Sequence, residues 1–350
     1  MKIKKTILFF TVLSAILMIA LNACKVDPVI EEELPANDIR LIIPEGWPYP
    51  HYDYTGNPLT KDGFILGRRL FYDPQLSRDN TISCASCHQQ FAAFSHLDHK
   101  LSHGIDGQFG TRNAPGLFNL NWQTNFMWDG GINHIEVQPA DPLTNPVEMD
   151  QSITNMVNKI QNDATYREYF HNAFGTETVS SQLVFKAMAQ FMGMLESYNS
   201  KYDLYMRGQA TLSPSELNGL TLFQSKCNSC HTAPLFTNLQ FMNNGLDSVF
   251  ADAGRARITL LASDSGTFKV PSLRNVNLSR PYMHDGRFTT LDAVLNHYMH
   301  GIKNSTTLSS ELAGGIALTD YEKIDIIAFL KTLSDNTFIQ DKRFKDPFTH

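Results

Sequence analysis

The chain has 350 residues, 42% of them hydrophobic and 18% charged, with a formal net charge of −6 at neutral pH. That length suits two domains. The acidic balance and the absence of any run of Lys or Arg argue against a nucleic-acid partner.

Residues 1–23 read as an export leader. Lys2, Lys4 and Lys5 precede the apolar run Ile7–Leu21, which is broken only by Thr11 and Ser14 and is short for a membrane span. Leu21-Asn22-Ala23-Cys24 resembles a bacterial lipobox. Cleavage before Cys24 would leave a lipidated cysteine and anchor the chain on the periplasmic side of a bacterial membrane. Residues 24–58, charged and punctuated by Pro35, Pro44, Pro48 and Pro50, are expected to form a tether.

A first domain is expected over residues 59–178. In Gly67-Arg68-Arg69-Leu70-Phe71, the apolar Leu70 and Phe71 share a helix face with Leu66. Ser83-Cys84-Ala85-Ser86-Cys87-His88 follows, and Lys226-Cys227-Asn228-Ser229-Cys230-His231 is its second copy. C-x-x-C-H is the attachment signature of a c-type haem. Residues three and four apart on a helical turn share a face, so both thiols and the imidazole meet one object. The thiols add to the haem vinyl groups and the histidine becomes the proximal iron ligand. A zinc site would use the four thiols together and gives no reason for a histidine after each pair. Two haems and one lipid account for all five cysteines, leaving none for a disulfide. His96, His99 and His103 lie in the loop after the first motif.

Residues 179–206 are expected to form a linking helix, with Leu183, Ala187, Phe191, Met194, Leu195, Tyr198 and Tyr202 at three- and four-residue steps. Met188, Met192 and Met194 read as core filler. The second domain, 207–340, opens with Ser213 as N-cap, Pro214 as the first helical residue and Glu216 as capping-box partner. Gly219-Leu220-Thr221-Leu222-Phe223 repeats the G-x-x-L-F of the first half, and Thr319 with Glu322 caps an amphipathic closing helix.

The repetition extends further. Pro115-Gly116-Leu117-Phe118-Asn119 parallels Pro271-Ser272-Leu273-Arg274-Asn275, and Phe126-Met127-Trp128-Asp129-Gly130 parallels Tyr282-Met283-His284-Asp285-Gly286. The fold expected is therefore mainly α, with two cytochrome c-like haem domains with long loops related by internal duplication. Continued without a gap, the pairing sets Ile135 against Leu291 and Pro142 against Tyr298. Pro142 cannot bind iron, whereas Tyr298 or its neighbour Met299 can. One haem would be open to a small substrate and the other suited to electron transfer.

Over residues 60–335 the chain resembles the bacterial di-haem cytochrome c peroxidases, a family that includes the enzyme maturing the quinone of methylamine dehydrogenase. The resemblance is carried by L-F-x-D-x-x-L-S, S-C-A-S-C-H, S-H-G-x-D-G-Q-x-G-x-R-N-A-P, W-D-G, V-P-S-L-R-N-V and P-Y-M-H-D-G-R. It implies a peroxide site at the haem on Cys84, Cys87 and His88. It also implies a distal pocket of Gln138, Pro142 and Glu148, with Glu148 as the acid–base group. His103 would cap that iron in the resting state, and Trp128 would lie between the haems. Asn113, with the main-chain carbonyls of Ser279 and Pro281, would hold one calcium ion. The haem on Cys227, Cys230 and His231 would take Tyr298 where the best-known peroxidases have methionine, with Met299 and Met283 as nearby alternatives.

The activity implied is reduction of hydrogen peroxide to water, with electrons from a small periplasmic redox protein (a c-type cytochrome or a cupredoxin). The resemblance leaves a homodimer open. Two rival readings remain. One is a di-haem electron carrier without peroxidase activity. The other is an oxidase that matures a side-chain cofactor in a partner protein, which Tyr298 favours.

Overall fold

The computed structural model describes residues 39–348. The expected leader, Cys24 and the start of the tether lie outside them. The described residues belong to one compact unit. The fold is mainly helical, and the one sheet among the described residues pairs β1 (Phe241–Met242) antiparallel with β2 (Phe268–Lys269). No helix among the described residues is long and apolar enough to cross a membrane.

The first half runs through α1 (Lys61–Tyr72), α2 (Cys84–Cys87), α3 (Ala140–Thr144), α4 (Ile153–Asn162), α5 (Ala164–Phe174) and α6 (Ser181–Gly193). After α7 (Lys201–Met206), the second half runs through α8 (Pro214–Lys226), α9 (Ala256–Thr259), α10 (Leu291–Asn296), α11 (Asp320–Lys331) and α12 (Asn336–Ile339). Both expected capping boxes form. The Ser213 and Thr319 N–H groups each donate to the glutamate three residues on at 2.7 Å, satisfying donors that the first turn leaves free.

Each half is built on one helix crossing. α1 packs on α6, and α8 packs on α11. Glycine permits both contacts. A Cβ at Gly67 would lie 1.9 Å from the Ala187 carbonyl oxygen, and one at Gly219 would lie 1.9 Å from that of Asp325. The aromatic core repeats with it. Phe71, Phe94 and Phe191 form a triangle with ring centroids 5.1–6.4 Å apart. Phe223, Phe236 and Phe329 form its counterpart at 5.0–6.1 Å.

The segment expected to be one linking helix is two. Residues 194–200 are not helical, and α6 serves the first half as α11 serves the second. The break has a local cause. The Asn119 side chain accepts from the Ser197 N–H at 2.8 Å and donates to its carbonyl at 2.9 Å, holding the chain extended. Ser200 and Asp203 then form a fresh capping box for α7. Met188, Met192 and Met194 are buried, as core filler should be.

Residues 39–58, within the stretch expected to be a tether, are docked on the body. Trp47 packs edge-on to Trp122 at 5.1 Å and covers the Arg274 guanidinium at 4.6 Å. The Trp122 indole donates to the Pro48 carbonyl at 2.8 Å. Aromatic burial of this kind outweighs the exposed charge that suggested a free segment.

The crossing makes a prediction. Gly67→Ala and Gly219→Ala should each lower the stability of the intact protein by about 1–3 kcal/mol. Gly56→Ala, where a Cβ meets nothing within 4 Å, should leave it within ~0.5 kcal/mol. Denaturant midpoints check this, and equal midpoints for all three would remove the crossing as the constraint.

Candidate haem sites and the distal pocket

At the first motif, Ser83 caps α2 by donating its N–H to Ser86 Oγ at 3.1 Å, and the His88 N–H donates to the Cys84 carbonyl at 2.9 Å. Cys84, Cys87 and His88 are thereby wound into one turn. The second motif follows α8 as a turn rather than a helix, yet the His231 N–H makes the same bond to the Cys227 carbonyl at 2.9 Å. All four thiols are free of disulfides.

The imidazoles are held alike. His88 Nδ1 lies 2.8 Å from the Phe94 carbonyl oxygen, and His231 Nδ1 lies 3.1 Å from that of Phe236. A proton on Nδ1 satisfies the carbonyl and leaves Nε2 as the lone-pair nitrogen. Burial pushes both histidines down to about 4, so they are neutral at neutral pH, as iron ligation requires.

Beside the first motif is a cavity with room for about 50 Å³. Cys84, Cys87 and His88 line it together with Gln138, Pro142, Glu148, Met188 and Met192. The structure thus brings together every residue expected at this pocket. Burial is the main cause raising the Glu148 carboxyl above the usual range, and the Asp141 charge adds to it. The Asn145 amide opposes the rise, donating to Glu148 Oε1 at 2.7 Å. His103 reaches the cavity at its edge. Its side chain is exposed, with the ring 4.4 Å from Phe109 and 4.9 Å from His99.

The second half differs at the matching place. α10 runs into a π-helical turn, His297–Gly301, a form that is rare and frequent at functional sites. It carries both Tyr298 and Met299. Burial pushes the Tyr298 hydroxyl up to about 12, with the Cys227 and Cys230 sulfurs among the neighbours that raise it and the Asn244 amide opposing. Tyr298 therefore lies at the second attachment site. Met299 is buried, and the Met283 sulfur lies 3.3 Å from the Asn244 amide nitrogen.

The donor sets fit two covalent haems: paired thiols, a neutral histidine with Nε2 free, and in the first half a cavity that the attachment residues share with Gln138, Pro142 and Glu148.

Comparison with known proteins agrees. The family model described as di-haem cytochrome c peroxidase matches residues 61–211. The methylamine utilization protein MauG of Methylorubrum extorquens is 34% identical, over 87% of this chain and 86% of that protein. Cytochrome c551 peroxidase of Nitrosomonas europaea is 32% identical, over 79% and 81%. Among solved structures, a MauG-like protein associated with microbial copper homeostasis superposes with a TM-score of 0.82 at 33% identity, covering 88% of this chain and 99% of that one. The chain belongs to the di-haem cytochrome c peroxidase family. It is an oxidoreductase-family protein for which two haem c groups are implied.

Between the two halves of this family member the main chain crosses reciprocally. The Asn113 N–H donates to the His284 carbonyl at 2.7 Å, and the Lys269 N–H donates to the Trp128 carbonyl at 2.8 Å. Trp128 also donates its indole N–H to the Asn113 carbonyl at 2.8 Å, and its ring lies 6.5 Å from that of His284. The Asn113 side chain turns toward the His99 and Lys100 carbonyls, at 3.1 and 3.3 Å. Pro281 is buried and Ser279 is partly so.

Sequence reading missed Asn145 and Asn244. The first had a signal: Thr144-Asn145-Pro146 is turn chemistry three residues before Glu148. The second had none.

The Asn145 contact can be measured. Glu148 should titrate above an ordinary glutamate, and Asn145→Asp, which replaces the donor by a negative charge, should move it higher still. The infrared carbonyl band of a protonated carboxyl, assigned by its loss in Glu148→Gln, reads the midpoint. A midpoint lower in the Asn145→Asp protein than in the parent would contradict the assignment.

Proposed function

We propose that this protein reduces hydrogen peroxide to two waters at the first-half pocket. Two electrons would come from a small redox protein, a c-type cytochrome or a cupredoxin, and would enter through the second half. The observation that carries this reading is the cavity that Cys84, Cys87 and His88 share with Gln138, Pro142 and Glu148. The place matched by Tyr298 in the second half is held in the first by a residue with no donor atom.

A haem bound at each motif supplies the iron that binds peroxide and the site that stores an electron. The protein's part is positioning and proton handling. Peroxide cleavage to two waters takes up two protons and two electrons and needs a proton moved from the inner to the outer oxygen. Glu148 serves this, because its raised affinity for protons brings it nearer the working pH. Asn145 holds Oε1 and leaves Oε2 to carry the proton. Gln138, buried and neutral, orients the peroxide without adding charge. Trp128, fixed by its indole hydrogen bond to Asn113 and by the Lys269 N–H of the second half on its carbonyl, offers an oxidisable ring between the two sites. Calcium would be held by Asn113 with the Ser279 and Pro281 carbonyls. The support is the oxygen-rich main chain around Asn113 and the suitability of such ligands for that ion.

A second reading has one specific support. Tyr298 at the second site, together with the similarity to MauG, favours oxidation of side chains in a partner protein.

Glu148→Gln should keep both haems and lose about 10²–10⁴-fold in kcat/KM for peroxide. Full turnover in that variant would sink the role. A parent protein that reacts with peroxide but turns over with no small donor would point to the second reading. Calcium removal by a chelator should lower the melting temperature and slow electron transfer between the haems, with readdition restoring both. A chelated protein unchanged in both respects would exclude the calcium site.

A further inference from the structure

Tyr298, Met299 and Met283 are the three candidates for the distal coordination position at the second attachment site. Asn244 is the residue that touches the elements carrying two of them. Its orientation is set by its neighbour. The Asn243 amide donates to Ser305 Oγ and Thr307 Oγ1, 3.0 Å each, and its Oδ1 accepts from the Gly245 N–H at 2.8 Å. This pins the chain just after β1. Side chains alternate along extended chain, so Asn244 falls on the side of Met242, whose sulfur lies 3.4 Å from Cys230 Sγ.

From there the Asn244 amide nitrogen lies 3.3 Å from Met283 Sδ. The main chain of Asn244 contributes too: its carbonyl oxygen is 3.0 Å from His297 Nε2, on the residue immediately before Tyr298 in the π-turn. One residue thus fixes the methionine sulfur through its side chain and the tyrosine-bearing turn through its backbone.

We infer that Asn244 is a positioning residue that selects oxygen over sulfur as the distal ligand at the second haem. An amide has two N–H donors. One, on the Met283 sulfur, engages a lone pair that iron would otherwise use. The Asn244 carbonyl oxygen, on His297 Nε2, holds the turn that presents Tyr298 instead. A thioether ligand raises a haem potential, whereas an anionic oxygen stabilises the ferric state and lowers it. Asn244 therefore sets the potential of the second haem without touching the iron. The inference rests on a covalent haem at Cys227 and Cys230, part of the reading above, but is independent of the peroxide chemistry assigned to the first half.

The test uses the full-length di-haem protein. The readouts are the far-red sulfur-to-iron charge-transfer band of the ferric form and the potential of each haem by spectroelectrochemistry. The parent should lack the band. Asn244→Leu should gain it, with an upward shift of the second-haem potential and no shift of the first. Asn244→Leu combined with Met283→Leu should lose the band again, and Asn244→Gln, which keeps the donors, should resemble the parent. If Asn244→Leu does not mature, Asn244→Ser carries the same expectation. A band already present in the parent, or an Asn244→Leu or Asn244→Ser protein with neither band nor shift, would overturn the inference. Peroxide turnover assayed on the same samples separates the two claims. Its absence in the parent would remove the peroxidase reading while the ligand spectra still decide the role of Asn244.

Discussion

Both haem sites depend on one main-chain carbonyl each. Phe94 and Phe236 sit at φ +57° and +55°, a left-handed conformation that bulky residues rarely adopt. The carbonyl so turned meets two partners: the attachment histidine Nδ1, and the N–H of Leu117 or Leu273 at 3.2 Å. The rings of Phe94 and Phe236 are third members of the aromatic triangles on the two helix crossings, which holds the unfavourable backbone in place. Packing and ligation are therefore one problem here. Loosening the Gly67 or Gly219 crossing moves a phenylalanine, the phenylalanine moves a carbonyl, and the carbonyl decides which imidazole nitrogen faces the haem.

On that shared scaffold the halves diverge by substitution at matched positions. Trp128 pairs with His284, Asn113 with Lys269 and Pro142 with Tyr298. The first two pairs meet at the reciprocal crossing, where identical backbone bonds carry different side chains. The third pair lies on segments whose structures have drifted apart. The first-half segment is the five-residue α3, with Pro142 in its first turn and Pro146 just past its end, whereas the second half runs through α10 into a π-turn. Proline has no N–H and restricts the helix around it, so the same chain position presents a bare wall in one half and a phenol in the other.

Much of this was legible in the sequence because it is local or repeated. C-x-x-C-H gives its own geometry, capping boxes announce helix starts, and a duplication exposes itself by self-similarity. Glu148, Gln138 and Pro142 fell into one cavity with the first motif because the family resemblance carried their spacing. What escaped depended on distant partners. The apolar periodicity of residues 180–205 suits one helix, and only the Asn119 side chain, far away in the chain, breaks it. The docking of Trp47 on Arg274 was hidden by the charged, proline-rich composition around it. Asn244 is one polar residue among many until the fold brings it to Met283.

Asn145 and Asn244 solve the same electrostatic problem in the two halves. Each half buries an oxygen acid, Glu148 or Tyr298, and burying such a group raises its pKa because a low-dielectric surrounding disfavours the anion. Burial raises both Glu148 and Tyr298 above their usual ranges, and the amide beside each offsets only part of that rise. A positive side chain could correct this, but it would add a full charge beside an iron centre and shift its potential. A neutral amide supplies a partial positive charge at hydrogen-bond range with no net charge. In both halves the amide's contribution opposes that of burial, which tempers the proton affinity of Glu148 in one and of Tyr298 in the other.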